Sequence, residues 1–389
     1  MIFLRTTGWS GRMAKWGQLA VKINTLAPHL DLDECIATPA VKYGNRNARW
    51  IARFVLGAGL LVLLIFSRSV PAQNTPAESQ KITPELRKFI DYMVRMHGFE
   101  ARDLRILFEH THRNQDVVRA ISAPTTSRPW HQFKPLCIDG AQIADGLRFW
   151  NENAALLSRA RRDFGVPEAI IVALIGIESR YGTHAGGYRV IDSLYTLSFE
   201  GPKRANYFRG ELEQFLVLAR EQSWDPGEVQ GSFAGALGWP QFMPSSYRRF
   251  AIDYSGDGNI DLWTNMADII GSVASYLREF GWKEGQPVAT PARIDTTDPQ
   301  AMVELGLKPQ LSVAQWRERG VRSPPGTAES LLAGLFSLQV ADGLEYWFGF
   351  DNFYVLLRYN RSRNYAMAVF QLADEIGQAR EKFTVVGFD

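Results

Sequence analysis

The sequence predicts a mainly helical protein of the α+β class with one small β-rich insert. Three observations lead there. Apolar residues recur at helical spacing over most of residues 84–280, and again from Tyr365 to about Lys382. Between Lys283 and about Phe350 that period fades. Turn residues become frequent there, and short apolar or alternating segments take over, such as Leu335 to Val340 and Leu344 to Phe348. Finally, the stretch from Val166 to Gly182 reads as an apolar helix with an acidic residue near its end.

Length and composition bound the reading. A chain of 389 residues with 46% hydrophobic and 22% charged residues is globular and long enough for two or three domains. The formal net charge of +2 hides an asymmetry. Residues 1–72 hold nine Lys/Arg against three Asp/Glu, which leaves 34 basic and 38 acidic groups, a formal −4, for the rest. That balance gives no nucleic-acid surface. The two cysteines, Cys35 and Cys137, imply neither a disulfide framework nor a Cys-based metal site.

Taken in order, residues 1–50 show no clear period. Arg46, Arg49 and Arg53 precede a 13-residue apolar run from Phe54 to Phe66, and Val70-Pro71-Ala72 follows. A basic flank, a short apolar core and small residues read as an export signal cleaved after Ala72, with an uncleaved membrane anchor as the alternative. Residues 73–80 are polar. Thr83-Pro84-Glu85 opens a helix that Gly98 closes, and Asp103 is placed to cap a second. Pro124 to Pro135 reads as a linker. Ala141 to Phe164 reads as one strong helix and leads through Gly165 into the apolar stretch.

In that stretch Pro167 suits a first helical turn, Glu168 its positive end and Gly182 the stop. Glu178 follows Ile175 by three residues, Leu174 by four, and Ile171 and Ile170 by seven and eight. The carboxyl therefore shares a stripe with four aliphatic side chains. Partial desolvation there raises a carboxyl's pKa and keeps its proton near neutral pH. A buried Glu satisfied by an ion pair is the plain alternative.

Further on, a helix runs from Lys203-Arg204 to about Gln222, a Gly/Ala-rich segment from Gly231 to Trp239, a short helix around Tyr247, and another helix from Asp268 to Phe280. Within the insert, Val313 to Arg319 reads as helical. A helix from Phe353 to Leu357 and the final helix complete the chain. The organisation expected is a leader over 1–72, an N-terminal helical region over 73–160, a catalytic core over 161–282, the insert over 283–350, and C-terminal helices over 351–389 that complete the core.

The most self-contained motif is Asp253-Tyr254-Ser255-Gly256-Asp257-Gly258-Asn259-Ile260-Asp261-Leu262-Trp263-Thr264. Oxygen-bearing side chains stand at loop positions one, three, five, seven and nine, with Gly258 at the sharp sixth position, as in an EF-hand calcium loop. Thr264 stands where a bidentate Glu is expected, and Asp268, one turn later, is the substitute. One structural Ca²⁺ is expected, with Asp253, Ser255, Asp257, Asn259 and Asp268 as ligands. Small residues from Gly231 to Gly238 allow close backbone approach, and Ser232 and Gln241 beside aromatics suit sugar binding. Asn360 or Asn364 suits the cap of the last helix. His97, His110, His112, His131 and His184 show no zinc spacing, and no G-x-S-x-G, P-loop or Rossmann fingerprint appears, so no organic cofactor is expected.

Together these segments resemble the membrane-bound lytic murein transglycosylase B family. The likeness rests on Gly176-Ile177-Glu178-Ser179-Arg180-Tyr181-Gly182, Gly231-Ser232-Phe233-Ala234-Gly235-Ala236, Gln241-Phe242-Met243-Pro244-Ser245-Ser246-Tyr247, the Asp253 loop and Tyr359-Asn360-Arg361-Ser362. The resemblance implies an exported, periplasmic enzyme with a lysozyme-like core that cleaves peptidoglycan between N-acetylmuramic acid and N-acetylglucosamine. It maps the catalytic acid onto Glu178 and substrate positioning onto Ser232, Gln241, Met243, Tyr359, Asn360 and Tyr365. The lipid-attachment Cys of some members is absent, and Thr264 departs from the loop pattern. Glycan strands are the expected partner of a monomer, with wall-synthesis proteins beyond them. The rival readings are a hydrolytic lysozyme and a calcium-stabilised glycan-binding protein without turnover.

Overall fold

A computed structural model describes residues 82–122, 128–200, 204–295 and 298–386. The export leader, Cys35 and the polar stretch 73–80 lie outside the described residues, as does the first part of the Pro124 to Pro135 linker, residues 124–127. Helix α1 (Pro84–His97) begins where Thr83 Oγ1 accepts the Leu86 amide at 3.2 Å, and it ends at left-handed Gly98. Helix α2 (Ala101–Glu109) starts earlier than expected. Glu100 stands at its N-cap, and Asp103 falls in the first turn. Helix α3 (Gln115–Ile121) is capped by Asn114.

The linker reading is corrected next. Helix α4 (Trp130–Cys137) runs through it, because Pro129 presets the entry and Trp130 and Phe133 are buried one turn apart. The single helix expected from Ala141 to Phe164 is two, α5 (Gly140–Glu152) and α6 (Ala154–Phe164). The break is Asn153, whose φ of −114° and ψ of 20° leave helical space while its side chain bonds the Phe149 carbonyl at 2.9 Å.

Helix α7 (Glu168–Ser179) follows, with Pro167 at its N-cap. The sequence pattern suggested a one-sided stripe, but every residue from Ile170 to Gly176 is buried. A helix apolar on all faces belongs inside the core. Its stop also comes two residues before Gly182, at Arg180, which adopts a left-handed conformation. Strand β1 (Tyr188–Arg189) and helices α8 (Val190–Phe199) and α9 (Ala205–Glu221) come next, and β2 (Gln230–Gly231) pairs antiparallel with β1. Helices α10 (Pro244–Phe250) and α11 (Met266–Glu279) follow, the latter capped by Asn265.

The sheet region comprises β3 (Ala289–Ile294), α12 (Pro299–Glu304), β4 (Leu311–Ser312), α13 (Val313–Glu318), β5 (Val321–Arg322), β6 (Leu332–Val340) and β7 (Gly343–Gly349). The order is β4-β6-β7-β3-β5, all antiparallel, with Val340 opposite Gly343 at the central hairpin. Strand alternation divides its faces. Leu335 and Phe348 join Trp316 in a small core of their own, while Phe336 and Leu338 face the main core. Helices α14 (Asp351–Tyr359) and α15 (Arg363–Val386) return the chain to the helical body, where α5, α6, α11 and α15 pack around α7. Asn352 ties the exit of the sheet region to its entry through Lys283 N, Lys283 O and Gln286 O at 2.8–2.9 Å.

Candidate active site

Glu178 stands in the last turn of α7, with part of its surface open to solvent. Its Oε1 accepts a short hydrogen bond from the Tyr365 hydroxyl, in the first turn of α15. Burial drives the Glu178 pKa up to about 8, and the Tyr365 bond pulls against it. The carboxyl can therefore keep its proton at neutral pH and has a donor in place for its ionised form.

A group of aromatic side chains backs the carboxyl. Tyr359 lies parallel to Tyr365 at 6.4 Å between centroids, and Tyr276 meets Tyr359 edge-on at 4.7 Å. Phe242 packs against both Tyr276 and Tyr359. Tyr359 is fixed from the other end by its hydroxyl, which donates to Pro240 O at 2.5 Å, and Tyr276 by its bond to Arg358 O at 2.8 Å. Burial raises the pKa of all three tyrosines, and the Glu178 charge adds to it. They remain neutral donors around the acid.

The Gly/Ala-rich segment is a stitched loop. Ser232 Oγ accepts the amides of Ala234 and Ala236 at 3.2 and 3.0 Å, and Leu237 bonds both ways with Phe242. Ser232 is thus buried and shapes the loop itself. Gln241 has a left-handed φ of 54°, and its Nε2 donates to Ala185 O and Gly238 O at 3.0 and 2.7 Å. Any bond from Gln241 to a sugar falls to its Oε1. Met243 is the nearly buried N-cap of α10. Gly182 lets Trp239 lie against the turn after α7, since a Cβ there would meet the indole at 2.1 Å. Asn360 does not cap α15 directly. Its Oδ1 accepts Ser362 N, and Ser362 Oγ in turn accepts Tyr365 N.

The structure therefore brings Glu178, Tyr365 and Tyr359 side by side, with Gln241 and Met243 flanking Phe242 in sequence. Ser232 reaches this group through the loop it holds. Sequence reasoning missed Tyr276, Cys137 and Asp139. Burial first, and the Glu178 charge second, push the Cys137 thiol up to about 12. Asp139 pairs with Arg180 at 3.0 Å. Only the need of Arg180 for a counter-charge could have hinted at Asp139. A separate cavity of about 410 Å³, lined by Lys88, Tyr92, Arg209 and Glu213 among others, lies between α1 and α9 and includes none of these groups.

In the Asp253 loop, Gly258 makes the sharp turn with φ 93°. Asp253 accepts Ser255 Oγ at 3.0 Å and the amides of Gly256, Asp257 and Gly258. The Gly258 amide bond and its companions hold the Asp253 carboxyl below the usual range, hence ionised. Asp257 accepts the Asn259 amide at 2.9 Å. Fully buried Asp268 accepts Tyr254 N, Ser255 N and Asp261 N, so it braces both ends of the loop. Thr264 donates to Asp261. Among the described residues no group of three His, Cys, Asp or Glu side chains gathers for a metal. The loop's set adds a hydroxyl and an amide to its carboxylates, and these hard oxygens on a tight loop fit Ca²⁺.

Comparison with known proteins adds independent findings. The transglycosylase SLT domain family matches residues 81–374. The chain is 41% identical over 307 residues to the membrane-bound lytic murein transglycosylase B of Escherichia coli (strain K12), covering 76% of this chain and 84% of that protein. The crystal structure of soluble lytic transglycosylase SltB1 from Pseudomonas aeruginosa superposes with a TM-score of 0.72 at 44% identity, covering 77% of this chain and all of that one. The E. coli lytic transglycosylase Slt35 in complex with calcium gives 0.69 at 41% identity, over 76% of this chain and 94% of that one.

Proposed function

The chain belongs to the family of peptidoglycan lytic transglycosylases, and from that premise we propose that Glu178 is its single general acid and base. The reaction breaks the β-1,4 bond between N-acetylmuramic acid and N-acetylglucosamine. Glu178 gives its proton to the glycosidic oxygen as the bond to the anomeric carbon breaks, so the N-acetylglucosamine side leaves with a 4-hydroxyl. The N-acetyl oxygen of the muramic acid holds the anomeric carbon meanwhile. Glu178, now ionised and stabilised by the Tyr365 hydroxyl, takes the proton from the 6-hydroxyl. That oxygen closes on the anomeric carbon, displaces the N-acetyl oxygen and leaves a 1,6-anhydro end.

The observation that carries this reading is one carboxyl at the end of α7, bonded by the Tyr365 hydroxyl, which burial raises to about 8 against the lowering effect of that bond, with no described Asp or Glu contributing to the shift. Ordinary retaining and inverting glycosidases use two carboxylates. The parallel Tyr359 and Tyr365 rings, with Gln241, Met243, Asn360 and the Ser232 loop, position the sugar. In this arrangement residues 161–282 and the described part of 351–389 form the lysozyme-like catalytic core, and 283–350 an insert.

Asp253, Ser255, Asp257 and Asn259 would hold one Ca²⁺, and Asp268, whose Oδ1 accepts two amides and Oδ2 one, has a single acceptor position left on Oδ2 to close the set. The ion supplies a fixed positive charge that cross-links the loop. The relative in E. coli bears a membrane-bound name, and no helix among the described residues is long and apolar enough to cross a membrane. Residues 1–72 direct export to the periplasm, which N-terminal sequencing of the native protein tests; intact protein in the cytoplasm contradicts it. The function itself is tested by substituting Glu178→Gln and assaying purified peptidoglycan. Loss of product with retained glycan binding supports the reading, and full activity removes Glu178 from the mechanism.

A further inference from the structure

Immediately after Glu178 the backbone does something uncommon. Arg180, Tyr181 and Gly182 have φ values of 50°, 53° and 82°. Left-handed conformations cost non-glycine residues about 1–2 kcal/mol each, and two in succession persist only where the surroundings hold them. Several contacts do so. Arg180 N donates to Gly176 O at 2.9 Å, Gly182 N to Ser179 Oγ at 3.1 Å, and Thr183 Oγ1 to Arg180 O at 2.8 Å. The Tyr181 ring stacks on Phe149 of α5 at 5.4 Å.

The Arg180 side chain adds a tie to another element. Its Nη2 reaches both oxygens of Asp139, at 3.2 and 3.0 Å. Asp139 Oδ1 also accepts Gln142 N at 2.7 Å and so caps α5. One carboxylate thus joins the start of α5 to the end of α7. The pair is partly exposed, at 34% and 43% of the two side chains. Such pairs contribute only about 0–1 kcal/mol to folding, so stability is a poor reason for this geometry.

We propose that Arg180 and Asp139 are positioning residues: their ion pair locks the left-handed turn after α7 onto the cap of α5 and thereby aims the Glu178 carboxyl. The inference rests on Glu178 being the acid. Neither residue touches the reacting atoms; both act through the backbone two residues beyond Glu178. A misplacement of about 1 Å in a reacting group can cost on the order of 10²-fold.

Three variants of the full chain test this on soluble peptidoglycan fragments. Asp139→Asn keeps an acceptor for Gln142 N but removes the charge. Arg180→Ala removes the tie, and Arg180→Lys can restore it because a single nitrogen makes both contacts. Asp139→Asn and Arg180→Ala should lower kcat about 10–100-fold, with KM and Tm near the unmutated values. The high-pH limb of activity should move to lower pH, because a looser turn admits water to the carboxyl. The titratable groups that feel the Glu178 charge from other elements (Tyr365 of α15, Tyr359 of α14, Tyr276 of α11 and Cys137 of α4) are unchanged in these variants. Arg180→Lys should recover most of the rate. Unchanged kcat and pH limb in Asp139→Asn and Arg180→Ala, or a loss in Arg180→Lys equal to that in Arg180→Ala, overturns the proposal. A parallel Glu178→Gln protein separates the two claims. If it is inactive while the tie variants behave normally, only the positioning role fails; if it is active, the acid assignment fails and the positioning role with it.

Discussion

Two influences meet at Glu178. Burial disfavours its charge, and the Tyr365 hydroxyl favours it. An unfolded Glu titrates near 4.5. Between about 4.5 and about 8 the folded state therefore holds a proton that the unfolded chain has released, and this residue's contribution to stability falls as pH rises through that window. Glu178→Gln should show no such fall. Its Tm relative to the unmutated protein should climb across the window, as melts at matched pH values would record; a constant offset contradicts the raised pKa. Activity should follow the same group. The acid must start protonated, so kcat/KM should drop above about pH 8. Tyr365→Phe removes the bond that favours the ionised form, so it should move that limb upward in pH while lowering kcat. A limb that moves down would contradict the hydrogen-bonding role given to Tyr365.

Helix α7 and the Asp253 loop differ in what sustains them. Within α7, Leu174 is wholly enclosed, and Leu174→Ala should cost about 2–5 kcal/mol in denaturant melts. Leu332, 47% exposed, should tolerate Ala within about ±0.5 kcal/mol. The loop is held by Asp253 and Asp268 hydrogen bonds, and Ca²⁺ should add to its stability by linkage. Asp257→Ala should abolish the calcium-dependent part of the melting shift. Identical melting of the unmutated protein in calcium and in chelator contradicts the site. An apolar run between Pro167 and Gly182 marked out α7, and apolar periodicity marked out the last helix, where burial and helical spacing coincide. It merged α5 with α6 because the Asn153 break depends on one side chain turning back to Phe149 O. It lost α4 because the proline signals were local, whereas the burial of Trp130 and Phe133 is tertiary. Glu178, Tyr359 and Tyr365 could be named from motifs. Tyr276 could not, since nothing in its neighbourhood along the chain announces that α11 turns it toward the acid.

Across the whole molecule, the sheet region interrupts a helical body and has its own small core around Trp316. Buried Asn352 joins its two ends with three hydrogen bonds. Asn352→Ala leaves backbone groups of Lys283 and Gln286 without these partners, at about 1–3 kcal/mol for each buried group left unsatisfied. A clear drop in Tm is expected, and unchanged stability would show that the tie is dispensable. The helical body has the more demanding task. In the mechanism proposed above it must hold one carboxyl where it gives a proton to one oxygen and takes one from another. The most direct measurement of that claim is the mass of soluble muropeptides released from purified sacculi by the unmutated protein. The account predicts products ending in 1,6-anhydro-muramic acid, each lighter by one water than a hydrolytic product, and none from Glu178→Gln. Hydrated, reducing-end muropeptides as the main product would contradict it.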